Sequence, residues 1–239
     1  MEENTSTAIA RVREFLRQIT YGGNDGIVTT FAVVAGFAGA EAEGTAQVGV
    51  IAVLLFGLAN LIADATSMGL GEFLSSRAEA DALEARRRER AGALQASPET
   101  LHRLLVDILQ ERGFAAGRAR VLAGEMLENA DFAIDFVLRE KFGLSDGEDV
   151  RGALVNGLFT FFSFIAFGVI PLVPFLLGLT GGEGARASAI ATFAALAVLG
   201  VLRWYATRIS LPRALGETLL VGGICAVVAF GVGMAVSGA

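Results

Sequence analysis

Residues 151–177 and 187–205 are nearly unbroken apolar runs, each long enough to carry a helix across a bilayer. A hydrocarbon core of about 30 Å takes roughly 20 residues at 1.5 Å of rise each. Lipid offers the backbone no hydrogen-bond partner, so a spanning segment is either a helix or one strand of a closed barrel. These runs lack the in–out alternation of barrel strands, and so they predict helices. Residues 21–40, 48–73 and 215–236 fit the same description. Only 18% of the chain is charged, against about a quarter in soluble domains. The expected fold class is all-α: a polytopic protein of five transmembrane helices embedded in a lipid bilayer, with a helical insert between spans two and three. Its parts read as an amphipathic helix over 1–20, spans one and two over 21–74, a charged helical domain over 75–150, and spans three to five over 151–239.

Span two is not uniformly apolar. Asn60, Asp64, Met68 and Glu72 recur at steps of four. Each step advances only about 40° round a helix, so the four form one slowly drifting stripe, with Asp64 and Glu72 about 12 Å apart along the axis. A carboxylate facing lipid at membrane depth is costly, so the stripe is expected to face other helices or water. Its oxygens are hard ligands. Met68 adds a soft thioether that magnesium and calcium do not seek but iron(II) and other transition metals accept. Taken singly, Asn60 and Asp64 also fit as helix-to-helix hydrogen bonders and Met68 as a packing residue. Four in register favour a cation pathway.

Span one opens with Asn24-Asp25-Gly26. Asp25 fits an acid favoured by the helix dipole or a second carboxylate opposite the Asp64–Glu72 stripe, the reading preferred here. Ala32, Gly36 and Ala40 form a row of small residues that lets another helix approach closely. Over residues 6–19, Ile9, Val12, Leu16 and Ile19 share a face and Arg11, Arg13 and Arg17 lie elsewhere. That pattern suits a helix lying on the membrane surface or on the protein's own polar segment. The acidic N-terminus has no apolar core, so a cleaved signal peptide is not expected.

In the insert, Ser97-Pro98 ends one helix and starts the next. Leu101, Leu104, Leu105, Ile108 and Leu109 give that next helix an apolar face, and Gly113 ends it. Further helices are expected over 117–128 and 131–142. Arg86, Arg87, Arg88 and Arg90 read as a solvated face, near anionic headgroups. Span three carries Phe159, Phe161, Phe162, Phe164 and Phe167, expected to face lipid or a partner subunit, and breaks near Pro171 and Pro174. Basic residues cluster before span one, after span two and between spans four and five. The positive-inside rule then places the N-terminus and the insert in the cytoplasm and the C-terminus outside.

Several classes are excluded. Cys225 is the single cysteine and His102 the single histidine, which removes disulfides, thiolate clusters and His-rich zinc sites. A net charge of −6 gives no hint of nucleic-acid binding. No nucleophile–base pair or phosphate loop suggests an enzyme.

The stretches YGGNDGIVTTFAVVAGFAGA and SMGLGEFLSSRAE, with GVIPLVPFL at the end of span three, closely resemble the vacuolar iron transporter family. That family includes the yeast iron and manganese transporters and many bacterial members, and this chain looks like a bacterial-type one. The resemblance covers nearly the whole chain. It implies a homodimer with a pore between the two copies of span one, exchanging ferrous iron or manganese for protons. It implies no tightly bound cofactor, only transported Fe2+ or Mn2+, and export from the cytoplasm across an inner or plasma membrane. By the same resemblance Asp25 lines the pathway, Met68 belongs to the transport site, and Glu72 is the acid at its cytoplasmic end. With Asp64, these are the expected metal ligands.

Two departures stand out. Many members have a glutamate where this chain has Asn60, and a small residue where it has Asp64, so the carboxylate has moved one turn towards Met68. The family's cytoplasmic domain binds metal through glutamates, and here Arg90, Ala93, Leu101 and Leu104 take those positions. Glu84, Glu89 and Glu99 fall out of that register. Glu125, Met126 and Glu128 remain as candidate ligands in its third helix. The competing reading is a non-transporting membrane scaffold or sensor acting through this helical domain, and a passive metal channel is a third.

Overall fold

The computed structural model describes residues 15–42, 49–144, 150–207 and 209–237. Among these, every regular element is helical. In chain order they are α1 (Leu16–Ala42), α2 (Val50–Gln95), α3 (Pro98–Glu111), α4 (Ala116–Leu127), α5 (Ala130–Phe142), α6 (Val150–Gly168), a 3-10 turn (Ile170–Leu172), α7 (Val173–Leu176), α8 (Gly181–Thr207) and α9 (Leu211–Ser237). The chain divides into two compact units. One holds residues up to Phe73 and from Leu154 onward, the other Leu74–Ala153. The single helix α2 contributes its first part to one and the rest to the other.

Four stretches, Val50–Gln95, Val150–Leu176, Gly181–Thr207 and Leu211–Val236, are helices long and apolar enough to cross a membrane. With the apolar surface described below, they make this a multi-pass membrane protein. Five such spans were expected, and α1 does not meet the same criterion. Arg17, Gln18, Asn24 and Asp25, together with its glycines, dilute its apolar character. The expected surface helix over 1–20 lies outside the described residues as far as residue 14, and from Leu16 the chain is already in α1.

Although it falls short of that criterion, α1 is the packing centre of its unit. Its Ile27, Thr30 and Val34 are almost wholly buried. Ile27 packs with Ala195, Leu196 and Leu199 of α8. Phe31, Val34 and Ala35 pack with Val53, Leu172 and Phe175. Against α9 the approach is nearly backbone to backbone. A Cβ added to Gly39 would lie 2.4 Å from the Phe230 carbonyl oxygen, and one on Gly233 2.1 Å from that of Gly36. Of the expected row Ala32, Gly36 and Ala40, Gly36 takes part in this contact; Gly39 lies outside that row. The outer faces carry large apolar side chains such as Ile190, Leu220, Val227 and Val236, as lipid-facing surface should.

The phenylalanines of α6 divide in two. Phe162 is exposed, as expected, but Phe164 is wholly buried. It packs with Leu61 and Ala65 because α1 and α2 both cross α6 on that face. Beyond α6 the helix tightens into the 3-10 turn at Pro171 and restarts with Pro174 in the first turn of α7. Proline has no N–H to give an α-helical interior.

In the other unit α3, α4 and α5 enclose an aliphatic core. Leu101, Leu105 and Ile108 of α3 meet Ala119 and Ala123 of α4 and Val137 and Leu138 of α5. The helix ends follow local chemistry. Pro98 opens α3. Asn129 caps α5, its side chain accepting from the Phe132 N–H at 3.1 Å. Gly143 closes α5 at φ 65°, a left-handed position that favours glycine. Ion pairs cover the surface, among them Lys141–Glu111 at 3.1 Å and Arg139–Asp135 at 2.8 Å.

Candidate functional site

Asp25 stands where α1 crosses α6. A Cβ on Gly26 would lie 2.3 Å from the Phe164 carbonyl oxygen, and one on Gly168 2.8 Å from that of Gly26. Only glycine permits this contact, so Asn24-Asp25-Gly26 places a carboxylate beside the tightest point of the crossing. Thr29 donates its hydroxyl back to the Asp25 carbonyl at 2.7 Å, beside the helical bond. The Asp25 side chain stays partly exposed. The Asp64 carboxylate of α2 lies within electrostatic reach of it.

The crossing of α2 over α6 follows the same rule. A Cβ on Gly157 would lie 2.6 Å from the Gly69 carbonyl oxygen. Leu61, Ala65 and Gly69 form the buried row of α2. The stripe Asn60, Asp64, Met68 and Glu72 precedes that row by one residue and so sits about 100° round the helix from it. Accordingly Asn60 is exposed, while Asp64, Met68 and Glu72 are half-buried. Met68 packs against the edge of the Leu61–Ala65–Phe164 cluster. Within the stripe, the Asn60 Nδ2 donates to Asp64 Oδ2 at 2.7 Å.

The arrangement therefore sets Asp25 on α1 and Asp64 on α2, holds Asp64 by Asn60, and puts Met68 one turn further on. Glu72 stands two turns from Asp64. Its Oε1 accepts from Gln18 Nε2 of α1 at 3.2 Å. Gln18 was missed by reasoning from the sequence, because its partner is 54 residues away. One signal was present: it lies seven residues before Asp25, on the same face of α1. Among the described residues no three of the His, Cys, Asp and Glu side chains converge into a metal cage. Asp25, Asp64 and Glu72 are strung along the spans instead.

In the polar unit, Met126 packs against the aliphatic core. Glu125 and Glu128 are exposed, the first in the last turn of α4 and the second at its C-cap. An open groove of about 460 Å³ is lined by Leu109, Leu122, Met126, Phe132 and Phe136, with Glu125 and Asn129. Leu101 and Leu104 belong to the core or pack on it. Arg90 lies over the Phe142 ring, 5.1 Å from its centroid. Glu84 pairs with Arg88 at 2.8 Å.

Fold and site together define a class: a multi-pass helical membrane protein that carries carboxylates along its spans, beside helix crossings made close by glycine. Comparison with known sequences narrows this. The chain belongs to the VIT family, whose profile matches residues 16–234. It is similar to a vacuolar iron transporter of Toxoplasma gondii, 34% identical over 161 residues, covering 67% of this chain and 50% of that protein. A vacuolar iron transporter of Plasmodium falciparum is 30% identical over 151 residues, 62% of this chain and 53% of that protein. Vacuolar iron transporter 1 of Arabidopsis thaliana is 30% identical over 138 residues, 58% and 53% respectively. The chain spans about half the length of these relatives.

Proposed function

We propose that this protein carries divalent transition-metal ions, ferrous iron first and manganese second, out of the cytoplasm in exchange for protons. The observation that carries this reading is the Asp64 carboxylate inside a span, held by Asn60 at 2.7 Å, with the Met68 thioether one turn beyond and a further carboxylate, Asp25, on α1. Two hard carboxylates and one soft sulfur suit iron(II) or manganese(II) better than magnesium or calcium. A carboxylate binds metal only when deprotonated, so metal and proton compete for the same oxygens, and that competition is the basis of exchange.

In this reading α1 is the first of five spans. Its 27 residues rise about 40 Å, and its polar residues are tolerated because it is surrounded by the others. The working unit is a homodimer. The exposed face of α2 carries Asn60 among Leu55, Phe56 and Ile62, and a polar group at membrane depth calls for cover by protein or a water-filled path. The N-terminus and the polar unit lie in the cytoplasm, as the distribution of basic residues suggests. Enzymatic activity forms no part of the reading.

The test is flux in sealed proteoliposomes, following Fe2+ and Mn2+ entry beside an internal pH dye, for the wild type and Met68→Ala. Metal entry with opposing proton movement, lost in Met68→Ala, is expected. Metal flux that moves no protons would make the protein a channel. Absence of flux for every divalent ion, in both pH directions and from folded protein, would leave the scaffold reading.

A further inference from the structure

We propose that Gln18 belongs to the cation pathway: its buried side-chain carbonyl, beside the Glu72 carboxylate, forms a two-oxygen entry site for a divalent transition-metal cation. The inference rests on the transport reading above and extends it to a residue that neither the sequence motifs nor the comparisons point to.

Gln18 is only 7% exposed, in the first turn of α1. Contacts with α6 fix it from both sides. One turn before it, Phe15 stacks on Phe159 with ring centroids 3.9 Å apart and planes within 6°. One turn after it, a Cβ on Gly22 would lie 2.7 Å from the Thr160 carbonyl oxygen. Glu72 is fixed by the same helix, one turn beyond the Gly69–Gly157 contact. Thus α6 holds both partners in place, and the Gln18 Nε2 reaches Glu72 Oε1 at 3.2 Å.

The other end of that amide is the telling one. Gln18 Oε1 is buried and, among the described residues, has no hydrogen-bond partner. A buried acceptor left unpaired is unfavourable, and packing alone would be served by leucine or methionine. An amide carbonyl is a hard ligand, as a carboxylate is, and the two sit here on adjoining side chains from different helices. The final torsion of a glutamine is soft, so the amide can turn its oxygen towards an arriving cation without moving the backbone. Glu72 supplies the charge, and Gln18 supplies a second oxygen without a second charge that would hold the ion too firmly.

The experiment uses Gln18→Met, of similar length without the oxygen, and Gln18→Glu, which keeps an oxygen and loses the donor. Mn2+ is the probe throughout, read as uptake kinetics in proteoliposomes and as binding to purified full-length protein in detergent. Gln18→Met is expected to raise KM and weaken Mn2+ binding about tenfold while the maximal rate holds, the scale seen when a metal site loses a supporting group. Gln18→Glu, which adds a second negative charge beside Glu72, is expected to tighten Mn2+ binding. A merely structural glutamine would lower yield or maximal rate and leave KM in place. Unchanged KM and unchanged Mn2+ binding in Gln18→Met would overturn the inference. If Gln18→Met does not fold, Gln18→Glu decides: tighter binding supports the site, and unchanged binding overturns it. Wild-type protein that binds Mn2+ but moves none would sink the transport reading alone, since the binding arm still reads Gln18.

Discussion

The two units of this chain are built on opposite rules. In the polar unit the large side chains point inward: Leu101, Leu105 and Leu138 are buried, and ion pairs such as Lys141–Glu111 cover the outside. In the membrane unit many of the largest apolar side chains point outward, Ile190, Val227 and Val236 among them. Its closest contacts are between glycine and backbone, at Gly26–Phe164, Gly69–Gly157 and Gly36–Gly233. The reason is the solvent. Water drives leucine inward in one unit, whereas lipid is as apolar as leucine and leaves close packing and polar contacts to choose the inner face in the other. The lesson concerns how an acid is read. A carboxylate on the polar unit is an ordinary solvated group. One inside a span needs a reason, and for Asp25 and Asp64 the proposed reason is a cation.

The sharpest test of that contrast compares acids across the two units. Asp64→Asn should lower metal flux by at least the roughly 100-fold that a metal site loses with an important supporting group. Glu125→Gln in the polar unit should leave proteoliposome flux at the wild-type level. Equal losses would mean that the polar unit handles metal too. Next in size is Leu105→Ala, which empties a fully buried site and should cost about 2–5 kcal/mol of the polar unit's stability. A loss of helical signal at lower urea concentration would record it.

A single substitution can then change sign between the units. Gly26→Ala sets a Cβ 2.3 Å from a backbone oxygen that cannot retreat cheaply. It should cost about 1–3 kcal/mol, as overpacking does, seen as a lower melting midpoint in detergent. Gly92→Ala, in the part of α2 belonging to the polar unit, meets nothing within 4 Å. It should stabilise by about 0.5–1 kcal/mol, because alanine fixes a helix interior better than glycine. If both destabilise, glycine serves the same purpose in the two units, and the comparison fails.

How much of this could be read in advance follows from the same physics. The helices of the polar unit were legible almost to the residue: the expected 117–128 and 131–142 stand as Ala116–Leu127 and Ala130–Phe142. Amphipathic periodicity and the stops at Pro98, Gly113 and Gly143 carry that information locally. The break of span three at Pro171 was legible for the same reason. The inner face of α6 was not. All its faces are apolar, so nothing in the pattern separates buried Phe164 from exposed Phe162. The polar stripe of α2 was legible as a stripe, and the Asn60–Asp64 hydrogen bond is its local product. The tie between Gln18 and Glu72 depends on two helix crossings at glycines, and spacing alone does not pair glycines across helices.

The smallest expected effect is at Glu84. It pairs with Arg88 at 2.8 Å, one turn apart on an exposed face of α2, with the arginine side chain 77% exposed. Such a pair gains little in water, because solvent screens it and both long side chains lose freedom in making it. Glu84→Ala should therefore cost no more than about 0.5 kcal/mol, measured as the urea midpoint of the polar unit. Added Mn2+ should not shift that midpoint in either protein. A Mn2+-dependent stabilisation of the wild type that disappears in Glu84→Ala would mean that this acid binds metal out of the family's register. The polar unit would then handle cations by a different set of residues, and the division of labour between the two units would have to be redrawn.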